Sequence, residues 1–336
     1  MMLLDLDSER AAAAAQAHGG GKAAARPVDA RSVGALAAEL TEADVLVNTA
    51  SYRVNLEAMR ACLHARCHYL DLGGLYWMTR RQLQLHEDFQ RAGLLAVLGI
   101  GSSPGKTNLM AARAVAEIGG REAGIETIDV FAGGRDPAAP KDGALRPPYA
   151  IETLLDELTL APVVLRDGEA IEIEPLSPGG TVDYGPPIGE GETIYTLHSE
   201  LASFGPSFGA KRVSFRLSLA PSVLAALKEL IGASAETVAA AAAAAQSPSN
   251  ETVSVHLVVA GGDGGRTVTV RAVTEPHFGL GGSVVSTAAP IAAAVRLYAR
   301  GSLRETGVMA PERCIDPGEM FAELEARGCT FSVTAG

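Results

Sequence analysis

Apolar runs of strand length alternate with helical patterns through the first third of the chain, which predicts a parallel sheet joined by crossover helices. Residues 3–7 read as a short buried strand ending in acids, with Ser8 placed to cap the helix that follows. A brief strand at 27–29, a helix at 32–40 and the continuous apolar run 44–50 come next. From 55 to 65, Leu56, Met59 and Leu63 recur on one helical face. A strand at 69–72 runs into Gly73 and Gly74. A polar helix with Leu85 and Phe89 stops at Gly93, 94–100 is another buried strand, and 104–118 is a helix with proline in its first turn.

The texture changes after Gly119. Strand-like runs at 163–164, 171–174, 193–197, 213–217 and 253–259 lie between Gly/Pro turns, several with period-two alternation, so a largely antiparallel sheet is predicted. Helices fall at 151–158, 221–230 and the alanine-rich 234–246. Helical pattern returns at 286–298 and 316–327, where Gly328 stops it. The shifts divide the chain into residues 1–118 with 286–336, and residues 119–285 between them. The expected class is α/β: a Rossmann-like parallel sheet with an interposed α+β domain of mainly antiparallel sheet.

A length of 336 residues supports two cores, and 47% hydrophobic with 20% charged residues is a globular balance. No stretch long enough to cross a bilayer is free of charged or turn residues. Asp5, Asp7, Glu9 and Arg10 are the wrong chemistry for a signal peptide, so a cytoplasmic protein without a membrane partner is expected. The net charge of −11 opposes a nucleic-acid partner, because phosphate backbones need a basic surface. Cys62, Cys67, Cys314 and Cys329 form no CxxC pairs and read as buried free thiols, and no metal site is expected.

Candidate chemistry gathers at strand ends, where open α/β sheets bind ligands. Thr49 and Ala50 end one strand, Asp71 to Gly74 the next, and Gly101, Ser103, Pro104 and Gly105 lie where a third strand turns into a helix. Small residues there let a flat ring approach the backbone, and the helix start adds a positive end. Asp5 and Asp7 suit either ribose hydrogen bonds or simple helix-start chemistry. A strand–GxGxxG–helix unit should precede them, and the sequence shows none; Gly19–Gly21 follows a helix and reads as a loop. In the strand order 3-2-1-4-5-6 the missing element is the central strand, which leaves its neighbours to pair with each other or stay unpaired. Farther on, His198 and Glu200 flank Ser199, a pair able to hold an ammonium, exchange a proton or form a solvated turn. Tyr149 and Glu152 begin a helix. Arg212 and Arg216 alternate with Val213 and Phe215, so they share a sheet face, either clamping a carboxylate or facing solvent.

The run DVLVNTASYRVNLEAMRACLHARCHYLDLGG, followed by LLAVLGIGSSPGKTNLMA, resembles the saccharopine dehydrogenase-like family of nicotinamide-dependent oxidoreductases. PPYAIETLLDELTLAPVVLRDGE, TLHSE, STAAPIAAAVRLYARGSL and GVMAPERCIDPGEMFAELEARG are similar to that family's second domain and closing helices. The resemblance implies a Rossmann domain with an interposed substrate domain, a homodimer, and hydride transfer between NAD or NADP and the C–N bond of an amino-acid-derived amine or imine. Asp5 and Asp7 lean towards NAD, since acids repel a 2′-phosphate. Asp71 or His198, with Glu200, would move the proton; Tyr149, Arg212 and Arg216 would meet the substrate. Two departures stand out: the opening glycine turn is missing, and Ser103 occupies the place where many members carry Asp before Pro-Gly. A late translation start is the expected reason for the first. True loss would leave a cofactor-deficient subunit or scaffold. Gly105→Val is expected to cost little stability if Gly105 is an ordinary first-turn position.

Overall fold

The computed structural model describes residues 1–138 and 144–336. Its first part runs β1 (Met2–Asp5), α1 (Ser8–His18), β2 (Ala24–Pro27), α2 (Val33–Glu39), β3 (Val45–Asn48), α3 (Asn55–Ala65), β4 (His68–Asp71), α4 (Leu75–Leu83), α5 (His86–Ala92), β5 (Leu95–Val97) and α6 (Lys106–Ile118). The second runs β6 (Ile125–Arg135), α7 (Ile151–Thr159), β7 (Val163–Arg166), β8 (Glu169–Glu172), β9 (Pro178–Asp183), β10 (Glu190–Tyr195), α8 (Phe204–Phe208), β11 (Arg212–Leu217), α9 (Pro221–Glu229), α10 (Ala235–Ala244), β12 (Val253–Gly262) and β13 (Thr267–Thr274). α11 (Gly282–Ala299), β14 (Gly307–Met309), α12 (Pro317–Glu325) and β15 (Cys329–Ala335) close the chain.

Local chemistry sets these boundaries. Asp7, rather than Ser8, caps α1, its carboxylate accepting from the N–H groups of Glu9 and Arg10. α3 buries Leu56 and Met59, as its periodicity predicts, with Cys62 buried beside them and Leu63 half-buried. The helix foreseen around Leu85 is two helices, α4 and α5, and Gly93 ends the second in a left-handed conformation. Met59 and Phe89 are fully buried, each contributing roughly 2–3 kcal/mol of hydrophobic stabilisation.

Two parallel sheets result. β3, β4, β5 and β14 pair in the order β14-β5-β4-β3, while β1 and β2 pair with each other. In the expected strand order, β2-β1 take places 3-2 and β3-β4-β5 take places 4-5-6, so place 1 falls between β1 and β3. Among the described residues, those two edges pair neither with each other nor with a further strand. A shared core holds the two halves in place: Leu4 and Val28 join Leu36, Leu40, Met59 and Phe89.

Among the described residues the other sheet has nine strands, with β15-β13-β12-β6-β11-β10-β9 in order and β7 and β8 beside β11. It is antiparallel as predicted, except that β11 runs parallel to β6. β6, β9, β13 and β15 were not foreseen. In β6, Glu126, Thr127, Asp129, Gly133 and Gly134 dilute the apolar signal, although Ile128 and Val130 are fully buried. α6 packs across β12 and β13, so the core continues from one sheet to the other.

The predicted division of the chain needs correction at its C-terminal end. β14 extends the sheet of β3–β5, whereas β15 pairs with β13 in the nine-stranded sheet. Residues 286–336 are therefore shared between the two parts. α11 is long and apolar enough, by length and composition, to cross a membrane, yet half of it is buried in the protein and it carries Pro290 and Arg296. It serves as a core helix.

Candidate active site

A cleft of about 1010 Å³ opens where the C-terminal ends of β3, β4 and β5 face the nine-stranded sheet. Thr49 and Ala50 after β3, Gly73 and Gly74 after β4, and Gly101, Ser102, Ser103 and Pro104 after β5 line one side. Tyr149, Glu157, His198, Phe215 and His256 come from the other domain. The Pro104 ring packs over Gly73, where an added Cβ would stand 2.7 Å from Pro104 Cγ. Glycine is thus required for the two turns to meet.

His198 is the best-positioned ionisable group in the cleft. Its Nδ1–H donates to Glu200 Oε2 at 2.5 Å, and its ring stacks on Phe215 with centroids 3.6 Å apart. Glu200 Oε1 accepts from the hydroxyls of Ser103 and Thr107, each at 2.7 Å. Ser103 thus holds Glu200 and brings no carboxylate of its own. Burial penalises both charges, but their mutual attraction wins: His198 is held above, and Glu200 below, its ordinary pKa. Glu200 is fully buried behind His198 and does not line the cleft. It is a positioning group, which corrects its assignment as a catalytic residue.

Glu157, missed by sequence reasoning, completes the group. Tyr149 donates its phenol to Glu157 Oε2 at 2.6 Å. Burial pushes the Glu157 carboxyl up to about 7, against the pull of His198 and Tyr149. A signal existed, because Glu157 interrupts the buried Ile151, Leu154 and Leu158 face of α7. Because its folded pKa lies above its unfolded value, Glu157 costs stability as pH rises from about 4.5 to about 7. Glu157→Gln should therefore match the native chain near pH 4 and exceed it above pH 8, by about 3 kcal/mol. Thermal melts across that range check this. A constant difference would place the carboxyl in a wetter setting.

Several other predicted residues lie outside the cleft. Asp71 is buried beneath the turns, accepting from Gln82 (2.6 Å), Tyr69 (2.9 Å) and Asn55 (3.1 Å) through Oδ2 and from the N–H groups of Gly99 (2.6 Å) and Gly73 (2.9 Å) through Oδ1. Five donors fix it as an anchor of the β4 and β5 ends and leave it no route to a substrate proton. Arg212 and Arg216 do share a face of β11, but Phe215 and Leu217 line the cleft, so the arginines point away. Arg212 pairs with Glu126, and Arg216 pairs with Asp129 at 3.1 Å while lying over Phe131 and Tyr195. They form no carboxylate clamp there. Asp7 is occupied as the α1 cap, and Asp5 Oδ1 accepts from the Asp7 N–H; neither lines the cleft. Pro104 precedes α6, whose cap is Gly105, and Gly105 lies behind the cleft wall, against Gly101 and Gly99.

Residues 1–97 match the family described as saccharopine dehydrogenase NADP binding domain. That match takes in the first part of the chain, from β1 to β5. Carboxyaminopropylagmatine dehydrogenase of Synechocystis sp. is 30% identical over 167 residues, covering 48% of this chain and 40% of the relative. Carboxynorspermidine synthase of Vibrio alginolyticus is 32% identical over 124 residues, covering 33% of this chain and 30% of the relative. The matched region thus spans less than half of either curated relative. Saccharopine dehydrogenase (L-Glu forming) of Saccharomyces cerevisiae shares the fold with a TM-score of 0.70, over 100% of this chain and 94% of that one, at 15% identity.

The residues present fit the nicotinamide end of such a cofactor, since Thr49, Ala50 and the Gly101–Pro104 turn leave a shallow, small-residue surface at the strand ends. For the pyrophosphate the fit is weaker. The β1–α1 turn, Leu6-Asp7, contains no glycine, and among the described residues no strand pairs with the facing edges of β1 and β3.

Proposed function

We propose that this protein catalyses NAD(P)-linked hydride transfer at the C–N bond of an amino-acid-derived amine or imine. The observation that carries the reading is the His198–Glu200 and Glu157–Tyr149 group facing the strand-end turns of a saccharopine dehydrogenase NADP-binding domain. The cofactor, when bound, gives or takes the hydride. The chain's own task is to orient the C–N bond, exclude water and manage one proton. With Nδ1 held by Glu200, His198 meets the substrate through Nε2 and gives a proton to the imine nitrogen as it becomes an amine. Glu157, titrating near neutrality, returns that proton or steadies the ammonium product.

The test is to supply the protein with NADH or NADPH, a keto acid or aldehyde, and a panel of primary amines. Loss of reduced nicotinamide should require both carbonyl and amine. Consumption without amine, or none with any pair while the cofactor binds, overturns the reading.

Among the described residues the facing edges of β1 and β3 are unpaired, which leaves their backbone donors and acceptors to a further strand. A version carrying a strand and glycine turn seated between them should bind NAD(P) at least about tenfold more tightly, since about 1.4 kcal/mol from backbone donors is enough. Isothermal titration of both decides it; equal affinities would show that another element grips the pyrophosphate.

A further inference from the structure

β15 forms one edge of the nine-stranded sheet, and among the described residues no strand pairs with its outer side. An open edge is a template for another strand, and folded chains guard it with proline, charge, bulges or brevity. The other outer edges here are guarded in this way. β9 begins at Pro178 and ends at Asp183, and its partner β10 is bulged between Thr193 and Ile194. β8 carries Glu169 and Glu172, β2 carries Arg26 and Pro27, and β14 is three residues long. β15 reads CTFSVTA, with no charge, no proline and an unbroken register against β13. In a chain of net charge −11, this is a strip on which two copies meet without charge repulsion.

The bonds to β13 fix which backbone groups stay free. Gly336 and Thr267 exchange both backbone bonds, at 2.9 and 3.1 Å, and the Glu275 N–H donates to Gly328 O at 2.9 Å. Bonded pairs alternate along an antiparallel ladder, so Thr330, Ser332 and Thr334 turn their backbone groups to β13. Cys329, Phe331, Val333 and Ala335 turn theirs outward. Ser332, Thr334 and Ala335 are exposed, as is Val333 at 42%, while Phe331 is half-buried and stacks on Phe321. The strand is also its own complement. Laid antiparallel to a second copy about a two-fold axis at Ser332, the whole of β15 overlaps. The four outward residues then bond to the same four of the second copy in reverse order. On one face each Phe331 meets a Val333, an aromatic and β-branched pair. On the other, Ser332 meets Ser332 and Thr330 meets Thr334, hydroxyl against hydroxyl.

We propose that β15 is a homodimer interface, at which two copies pair edge to edge and join their nine-stranded sheets into one continuous sheet. The occupant is a second copy of this chain, because a single strand supplies both sides of a closed two-fold pairing and leaves no edge to propagate. No residue of β15 lines the cleft, so each copy keeps its own site open. The pairing is therefore independent of the reaction proposed above.

Light scattering after size-exclusion chromatography, over a concentration series, should give twice the chain mass. Val333→Lys leaves the β13 pairing intact and sets a charge on the edge. It should raise the dimer dissociation constant at least about tenfold while the thermal melt stays cooperative. Ser332→Cys tests the register. On the axis it faces its own counterpart in a non-hydrogen-bonded pair, with Cβ atoms roughly 4.5–5.5 Å apart. Oxidised glutathione should then link two chains, the two thiols forming one disulfide as the glutathione disulfide is reduced to two thiols. The native cysteines are buried and do not compete. Thr330→Cys is the control, because it meets Thr334 of the other copy and should stay unlinked. Should Val333→Lys fail to fold, the two cysteine variants give the reading. A native chain that is monomeric throughout overturns the proposal. So does native dimer affinity in folded Val333→Lys, or equal linking of the two cysteine variants, whether both link or neither does.

Discussion

Replacing His198 with alanine should lower kcat by roughly two to four orders of magnitude, the range that a positioned acid or base contributes. The expectation rests on geometry, since the ring is clamped on both sides. Phe215 stacks on its face, and Glu200, itself saturated by Ser103 and Thr107, takes Nδ1–H. Only the Nε2 side remains for the substrate. Cofactor affinity should change by less than about threefold, because His198 belongs to the substrate side of the cleft. Glu200→Gln should also lower kcat, and it should shift the basic limb of the pH profile downward. The sign follows from the attraction that now raises the His198 pKa; without the Glu200 carboxylate, burial is opposed by Glu157 alone and the imidazolium is lost at lower pH. Steady-state kinetics over pH, with a melt for each variant, make the comparison. A His198→Ala enzyme within threefold of native kcat would remove His198 from the proton transfer and turn attention to Glu157.

The strand–helix alternation of the first part was legible because each strand is a continuous apolar run and each turn carries its own punctuation. α3 was readable to the residue for this reason. The strand ends could be brought together from the same signals, and Thr49, Ala50, Gly101, Ser103 and Pro104 do line one cleft. What sequence could not separate was a side chain facing the cleft from one facing away. Arg212 and Arg216 share a face, but only the packing of β11 shows that Phe215 and Leu217 have the cleft side. Asp71 sits at a strand end as a catalytic group would, and its five donors come from residues spread between Asn55 and Gly99. The groups missed were polar residues within apolar patterns: Glu157 on the inner face of α7 and His256 in β12. Each violates the pattern around it, and a buried polar residue is informative in a way that a surface one is not. The division of the chain was misplaced because the pairing of β15 with β13 is a long-range contact that local pattern does not announce.

Gly105→Val should destabilise the protein by at least about 3 kcal/mol, which reverses the expectation drawn from sequence. That expectation treated Gly105 as an ordinary first-turn position of a helix starting at Pro104. In the structure Gly105 is the cap of α6 with φ 117°, a conformation that an L side chain rarely adopts. Its ideal Cβ would stand 2.5 Å from the carbonyl oxygen of Gly101 and 2.9 Å from that of Gly99, and would also meet the Gly101 nitrogen. These neighbours are backbone, held by the bonds from the Gly101 N–H to Pro104 O and from the Lys106 N–H to Gly101 O, both at 2.9 Å, so the turn has no flexible atom to move aside. The Gly105 N–H is further fixed by Asn108 Oδ1 at 2.8 Å. Strain and overlap therefore add, and the turn bearing Ser102, Ser103 and Pro104 should distort with them. Gly20→Ala is the control, because Gly20 also has positive φ, at 55°, but meets nothing within 4 Å. That variant should lose no more than about 1–2 kcal/mol, the cost of the backbone conformation alone. Thermal melts separate the two, with Gly105→Val lower by roughly 6 °C or more and Gly20→Ala much closer to native. Equal melting temperatures for Gly105→Val and the native chain would mean that the 99–105 turn can open without loss, and that its close packing does not fix the floor of the cleft.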